Sequence, residues 1–345
     1  MLTHMHIHII CFLVSMTATS FAVKAQPIAG CTDKAANNYD ASAVINNGSC
    51  TYDAVTLVPI LKFNQTAALS ENSGMIFWNN LLWQHNDGGD AAAIYAIDTG
   101  SNRILRTITL AGATNIDWED MTQDETHIYV GDFGNNATGS RTDLKIYKLD
   151  KSAIAASSGD TILTPEVIAF SYADQPASDL SIGANKTDFD CEAMIAYHKG
   201  LFLFTKQWTG NQTALYEIPK TAGNHTATRS GILNVNGMIT GADVFPATGT
   251  IALTGYNASL TRFIYLLNDF KGNEFFGGNK RKISLGGALQ QTESIAFINE
   301  HHAFIGTEAA LFPQRLETIS LAGLIAGQPP PPPTAKEKNP KPGGR

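Results

Sequence analysis

The sequence predicts an all-β fold, a five-bladed β-propeller, and three observations lead there. Two short marks recur in phase along the chain, an apolar strand lies between them, and turn-forming residues are plentiful, 30 Gly among them. The first mark is an acidic residue followed by small and apolar ones. It occurs as Glu71-Asn72-Ser73-Gly74-Met75, Glu119-Asp120-Met121, Glu192-Ala193-Met194, Asp243-Val244 and Glu293-Ser294-Ile295. The second mark follows roughly two dozen residues later each time, as Ile94-Tyr95-Ala96-Ile97, Ile146-Tyr147-Lys148-Leu149, Leu215-Tyr216-Glu217-Ile218, Ile264-Tyr265-Leu266-Leu267 and Leu316-Glu317-Thr318-Ile319.

Each unit reads as four short strands. The second strand is apolar, as in Leu201-Phe202-Leu203-Phe204, and a fourth follows the second mark, as in Ile104-Leu105-Arg106-Thr107-Ile108. Four intervals separate the five units. The one between Glu119 and Glu192 is longer, and long loops at 135–141 and 173–187 account for it within one blade; six blades is the alternative. The fifth unit lacks a fourth strand. The stretch Val55 to Phe63 precedes the first unit and can supply it, closing the ring and leaving few exposed edges.

The flanks read differently. Residues 1–25 run apolar through Ile7 to Val14 and end in Ala22-Val23-Lys24-Ala25, a signal peptide cut after Ala25. An uncleaved anchor is the alternative, although Ser15, Thr17, Thr19 and Ser20 interrupt the apolar run. A third reading takes Ile28-Ala29-Gly30-Cys31 as a lipoprotein box. No other segment approaches transmembrane length, so the expected place is secreted or on the outer cell surface. Cys11 leaves with the signal, Cys31 and Cys50 are expected to pair, and Cys191 reads as a small buried residue. Residues 26–54 form a short module, 55–326 the propeller, and 327–345 an extended tail with five consecutive prolines.

Segment 30–53, from Gly30-Cys31-Thr32-Asp33 through Asn38-Tyr39-Asp40 to Asn47-Gly48-Ser49-Cys50, resembles a two-cysteine module of surface and secreted proteins of the Bacteroidetes. Its Asp33 and Asp40 could bind a cation or simply turn a solvated loop.

Composition narrows the function. With 43% hydrophobic and 16% charged residues the chain builds a core, which excludes a disordered protein. A net charge of -7 argues against nucleic acid as a partner. A monomer is expected. Innermost strands of a propeller line one channel, so the first-mark acids Glu71, Glu119, Glu192, Asp243 and Glu293 are expected to converge. Converging carboxylates repel unless protonated, solvated or neutralised by a cation. Oxygen-only ligands suit calcium, which tolerates a loose shell of six to eight oxygens. The other reading is structural, each carboxylate accepting backbone N–H groups of the next blade.

Ser70-Glu71-Asn72-Ser73-Gly74, Glu119 with Ile128-Tyr129-Val130-Gly131-Asp132, Asp190-Cys191-Glu192-Ala193 and Glu293-Ser294-Ile295-Ala296-Phe297 are similar, in order and spacing, to the calcium-activated apyrases. That resemblance implies a secreted nucleotidase fold of five blades with one calcium in the tunnel. The implied ligands are Glu71, Glu119, Glu192 and Glu293, with Ser70 assisting. Asp243 departs from the family, which has a serine there, and the family's substrate loops are not recognisable. The run Trp83-Gln84-His85-Asn86-Asp87-Gly88, with Asp117-Trp118-Glu119-Asp120 and Gly131-Asp132-Phe133-Gly134-Asn135, looks like a group of uncharacterised bacterial secreted propellers, and the phytase-like propellers resemble the chain more weakly.

Residues just after each second strand should rim the channel mouth: His85, Asn86, Asp87, Asp132, Lys206, Tyr256 and Glu308. His85, Asp87, Asp132 and Lys206 are the candidate ligand-binding residues there. Phosphate chemistry calls for several cations, and only Lys206, with Arg141 from a long loop, is available. His85 reads either as a general base or as a turn cap. Trp78, Trp83, Trp118 and Trp208 read as sugar-stacking or as buried. No catalytic residue is assigned. Two functions are in view: a module that binds a ligand or partner over an acidic, calcium-holding channel, and a calcium-dependent hydrolase of nucleotides or other phosphoesters.

Overall fold

A computed structural model describes residues 26–177, 182–309 and 312–325. The signal-peptide reading at 1–25 and the tail at 327–345 lie outside them. In the module, β1 (Ala29–Gly30) pairs in parallel with β2 (Ile45–Asn46), and Cys31 and Cys50 form a disulfide. The bonded Cys31 sulfur is unavailable for a lipid thioether, so the lipoprotein reading falls. Asp33 accepts from Ala35 N–H and the Tyr52 hydroxyl, and Asp40 from Ser42, so both acids serve the module's own turns.

Next come β3 (Val55–Leu57) and β4 (Ile60–Asn64), then β5 (Asn72–Trp78), β6 (Leu81–Asn86), β7 (Ala93–Asp98) and β8 (Arg103–Leu110). These are followed by β9 (Trp118–Gln123), β10 (His127–Asp132), β11 (Lys145–Asp150), the helix α1 (Lys151–Ala156), β12 (Thr161–Leu163) and β13 (Glu166–Tyr172). The chain continues through β14 (Asp190–Tyr197), β15 (Gly200–Lys206), β16 (Gln212–Pro219) and β17 (Gly223–Asn234). It then forms β18 (Met238–Phe245), β19 (Thr250–Tyr256), β20 (Arg262–Asn268), β21 (Asn279–Leu285), β22 (Thr292–Asn299), β23 (His302–Thr307) and β24 (Arg315–Ser320).

Antiparallel pairing groups these into the four-stranded units β5–β8, β9 to β11 with β13, β14–β17, β18–β21, and β22 to β24 with β4. The last unit takes its outer strand from the N-terminal side, as β4 pairs with β24. The stretch from Val55 to Phe63 is not one strand, however. Pro59 divides it, and β3 instead pairs in parallel with β21 of the preceding unit. Extra length between Glu119 and Glu192 holds more than loops: α1 leads to β12, which caps the outer edge of β8. The outer strands β13 and β17 of neighbouring units also pair, in parallel. These additions cover edges that would otherwise template aggregation.

Both faces of each sheet are apolar, because each packs against a neighbour. One buried cluster joins the first and second units through Ile76, Trp83, Trp118 and Met121. Others join second to third, third to fourth and fourth to fifth. Leu69, Met75 and Leu82 meet Ala296, Phe304 and Leu316, so the fifth unit packs on the first and the ring is closed. Cys191 lies within one of these cores, its thiol pushed up by burial.

Two acids near the middle of the inner strands serve the ring itself. The Asp120 carboxylate accepts from the backbone N–H groups of Met121, Met194 and Ala242, linking three units. Asp243 accepts from Val244 and Phe297 N–H at 2.8 and 2.7 Å. Replacing Asp120 by Ala leaves buried N–H groups without acceptors and should cost about 3 kcal/mol or more. We expect the thermal midpoint to fall by on the order of 10 °C, while Glu125→Gln on the surface leaves it unmoved; an unchanged midpoint for D120A would contradict this role.

Candidate metal centre at one end of the channel

Every inner strand carries a β-bulge near its start. One extra residue sits between Asn72 and Gly74, between Cys191 and Ala193, between Ile239 and Gly241, and between Thr292 and Ser294, and β9 is bulged between Trp118 and Met121. The bulged residues are therefore Ser73, Glu119, Glu192, Thr240 and Glu293. A bulge re-aims the side chain it carries and recurs beside functional sites. Three of the five expected acids, Glu119, Glu192 and Glu293, hold this position and are buried. In the other two units a hydroxyl takes it, and both hydroxyls donate to a carbonyl of the next inner strand: Ser73 to Glu119 and Thr240 to Thr292.

Glu71 and Asp243 do not share that position. Glu71 lies two residues before the bulge with its side chain exposed, and its carbonyl accepts Asp87 N–H. Ser70 is alongside, its carbonyl accepting Ala309 N–H. Asp243 lies three residues past the bulge, spent on backbone donors. A second layer went unread in the sequence. Two places before the bulge, where Glu71 stands in the first unit, come Asp117 in the second and Asp190 in the third.

The second strands complete the site. Lys206 pairs with Asp190 and Tyr256 with Met238, while the backbone N–H groups of Asp87 and Glu308 donate the equivalent bonds to the carbonyls of Glu71 and Gln291. Carboxylate oxygens of Asp87, Asp117 and Glu119 lie within 4.8 Å of one another, as do those of Glu119, Asp190 and Glu192. The two groups share Glu119. It is 4% exposed, and its Oε1 meets no protein donor. Gly134 passes so close that a Cβ there would lie 2.2 Å from this oxygen.

The acids raise one another's pKa. Burial, then the charges of Asp87, Glu192, Asp117 and Asp190, push Glu119 well above the usual carboxylate range. Burial and Asp87 carry Asp117 to about 7. Burial carries Glu293 to about 7 despite Lys206, and Glu308 to about 9 with Glu293 and Asp87 adding to it. Against these stands Lys206, whose ammonium donates to Glu192 Oε1 at 3.1 Å and lies over the Trp208 and Tyr256 rings.

The remaining candidates sit elsewhere. His85 is fully buried edge-on to Trp118, its Nδ1 against Asn86 O, and burial holds its pKa down at about 4. It does not reach the mouth. Asp132 is buried behind the site and held by Arg141 at 2.8 Å; the same guanidinium grips Asp143 and Gly134 O, so it is committed there. Trp83 and Trp118 are core residues. Trp208 is half-buried at the mouth, where its indole N–H donates to Asp190 at 2.7 Å.

The donor set is all oxygen and anionic, with Glu119 buried, Asp87 and Asp117 half-buried, and the buried Glu119 Oε1 left without a protein donor. It could hold a metal ion, and hard divalent cations are the class it suits. No family model matches this sequence, and no curated protein does. Among solved structures, the glutaminyl cyclase of Myxococcus xanthus is 11% identical with a TM-score of 0.45, covering 78% of this chain and 99% of its own. Hydrazine synthase of Kuenenia stuttgartiensis is 8% identical with a TM-score of 0.36, covering 70% of this chain and 57% of its own. The reading of the site rests on this chain's own residues.

The shifts give a signed pH dependence. Asp117, Glu293 and Glu308 titrate above their ordinary values of 3.8, 4.5 and 4.5, so the folded chain binds more protons than the unfolded one near neutrality. In chelator, stability should therefore fall as pH rises from about 6.5 to about 8. Below that window His85, buried neutral, acts in the opposite sense. Calcium should flatten the decline. Thermal midpoints across the window, with chelator and with calcium, check this; a rise with pH in chelator would contradict it.

Proposed function

We propose that this chain is a secreted or outer-surface propeller that holds a calcium ion among Asp87, Asp117 and Glu119 and binds a ligand or partner over that end of its channel. One observation carries the reading: a buried carboxylate oxygen, Glu119 Oε1, lies among two other carboxylates with no protein donor. Leaving such a group unpaired costs about 1–3 kcal/mol, more when it is charged, and a cation among the three carboxylates removes the cost. Calcium suits the set better than magnesium, which dehydrates reluctantly and demands a regular octahedron. The Cys31–Cys50 disulfide supports an oxidising compartment, and no helix among the described residues is long and apolar enough to cross a membrane. Glu192, Glu293 and Glu71 add negative potential that favours the ion without touching it.

An ion in this place has positions left for oxygens of a ligand. The mouth beyond it carries Glu308, Tyr256 and Trp208, a polar and aromatic rim rather than a basic one. Nearby cations are committed, Lys206 to Glu192 and Arg141 to Asp132, which favours the binding module over the phosphoester hydrolase.

Calorimetric titration tests the reading. Calcium should bind the wild type, and Glu119→Gln should weaken it by roughly tenfold or more, since ligand charge sets affinity in such sites, whereas Glu166→Gln should bind as wild type. No calcium binding by the wild type would overturn the proposal. Calcium-dependent turnover across a nucleotide and phosphoester panel, lost in E119Q, would transfer the same ion to the hydrolase reading.

A further inference from the structure

We infer that the Lys206 ammonium is a built-in occupant of a second cation position, which keeps the channel to a single divalent ion. The inference rests on the proposed calcium site and concerns what lies beside it. Two carboxylate groups share Glu119, and the structure treats them differently. In the first, with Asp87 and Asp117, the buried Glu119 Oε1 has no protein donor. In the second, three oxygens of Asp190 and Glu192 already have donors. Asp190 Oδ1 accepts from Asn135 N–H and its Oδ2 from the Trp208 indole, while Glu192 Oε1 accepts from Lys206.

Lys206 is placed as a bound cation would be. It is 4% exposed, bonded to a carboxylate, and flanked by two aromatic rings at 4.8 and 5.8 Å from its nitrogen. Aromatic faces and carboxylates together hold an ammonium well. A lysine is a compact charge on a flexible stem, so it can fill an ion's place without supplying a planar fork. Register explains why it is there. Asp87, Lys206, Tyr256 and Glu308 occupy one position in their units, and only the third unit puts a cation in it. The third unit carries acids at Asp190 and Glu192, as the second does at Asp117 and Glu119, but only in the third does a cation stand opposite them.

Two consequences follow. The ammonium blocks a second divalent ion by holding Glu192 Oε1 and by its own charge, which also lowers the affinity of the first. Lys206→Met removes the charge while keeping an apolar stem against Trp208 and Tyr256; Lys206→Arg keeps the charge.

Native mass spectrometry in saturating calcium counts the ions. We expect one in the wild type, two in K206M and one in K206R. One ion in K206M, or two in the wild type, overturns the inference while leaving the calcium site standing. A wild type without any ion overturns the site and the inference together. Should K206M fail to fold, the wild type decides: a count that stays at one as calcium rises supports the inference, and a second ion contradicts it.

Discussion

Like charges buried together must be neutralised, and this structure is arranged around that constraint. Ring closure brings the starts of five inner strands to one axis, and a bulge in each aims one side chain inward. Three of those side chains are Glu. Two more acids stand two residues before the bulge, Asp190 at the start of β14 and Asp117 just ahead of β9. The fold cannot separate them without breaking the interlocking clusters between neighbouring units. Protons, Lys206 and an incoming cation are the means left, and they compete for the same oxygens.

The ring uses carboxylates in two ways, separated by a few residues of strand. Asp120 and Asp243 lie past the bulge and face neighbouring backbone N–H groups, so they act as struts between units. Glu119 and its neighbours lie at the bulge or before it, where the inner strands no longer offer donors. Of the two readings that the sequence left open for the acidic ring, the structural one describes Asp243, and Glu119 and its neighbours are the acids that could hold a metal. Arg141 draws a similar line, since it neutralises Asp132 and leaves Asp117 facing Asp87.

The architecture was legible because each unit repeats its apolar pattern twice, and a chain with both sheet faces buried keeps that pattern strictly. The site was legible only where chemistry and register coincide. Glu119, Glu192 and Glu293 satisfy both, and Asp87 and Lys206 could be placed from the ends of second strands. Glu71 and Asp243 misled because an acid was matched to an acid. The apolar residues Met75, Met121, Met194, Ala242 and Ile295 are the true anchors, and counting back from them gives Ser73 and Thr240. The same count gives Asp117 and Asp190, which were passed over as mere neighbours of stronger marks. His85 misled differently: it follows the strand order of a mouth residue, but Gly74 opposite leaves room for its ring to fold into the core.

Anomalous diffraction from crystals grown in calcium tests the central claim most directly. The account expects one strong peak within coordinating distance of Glu119 Oε1, between Asp87 and Asp117, with Lys206 still bonded to Glu192. A well-ordered channel with no peak at that oxygen, or with the ion bound instead at Asp243, would contradict it.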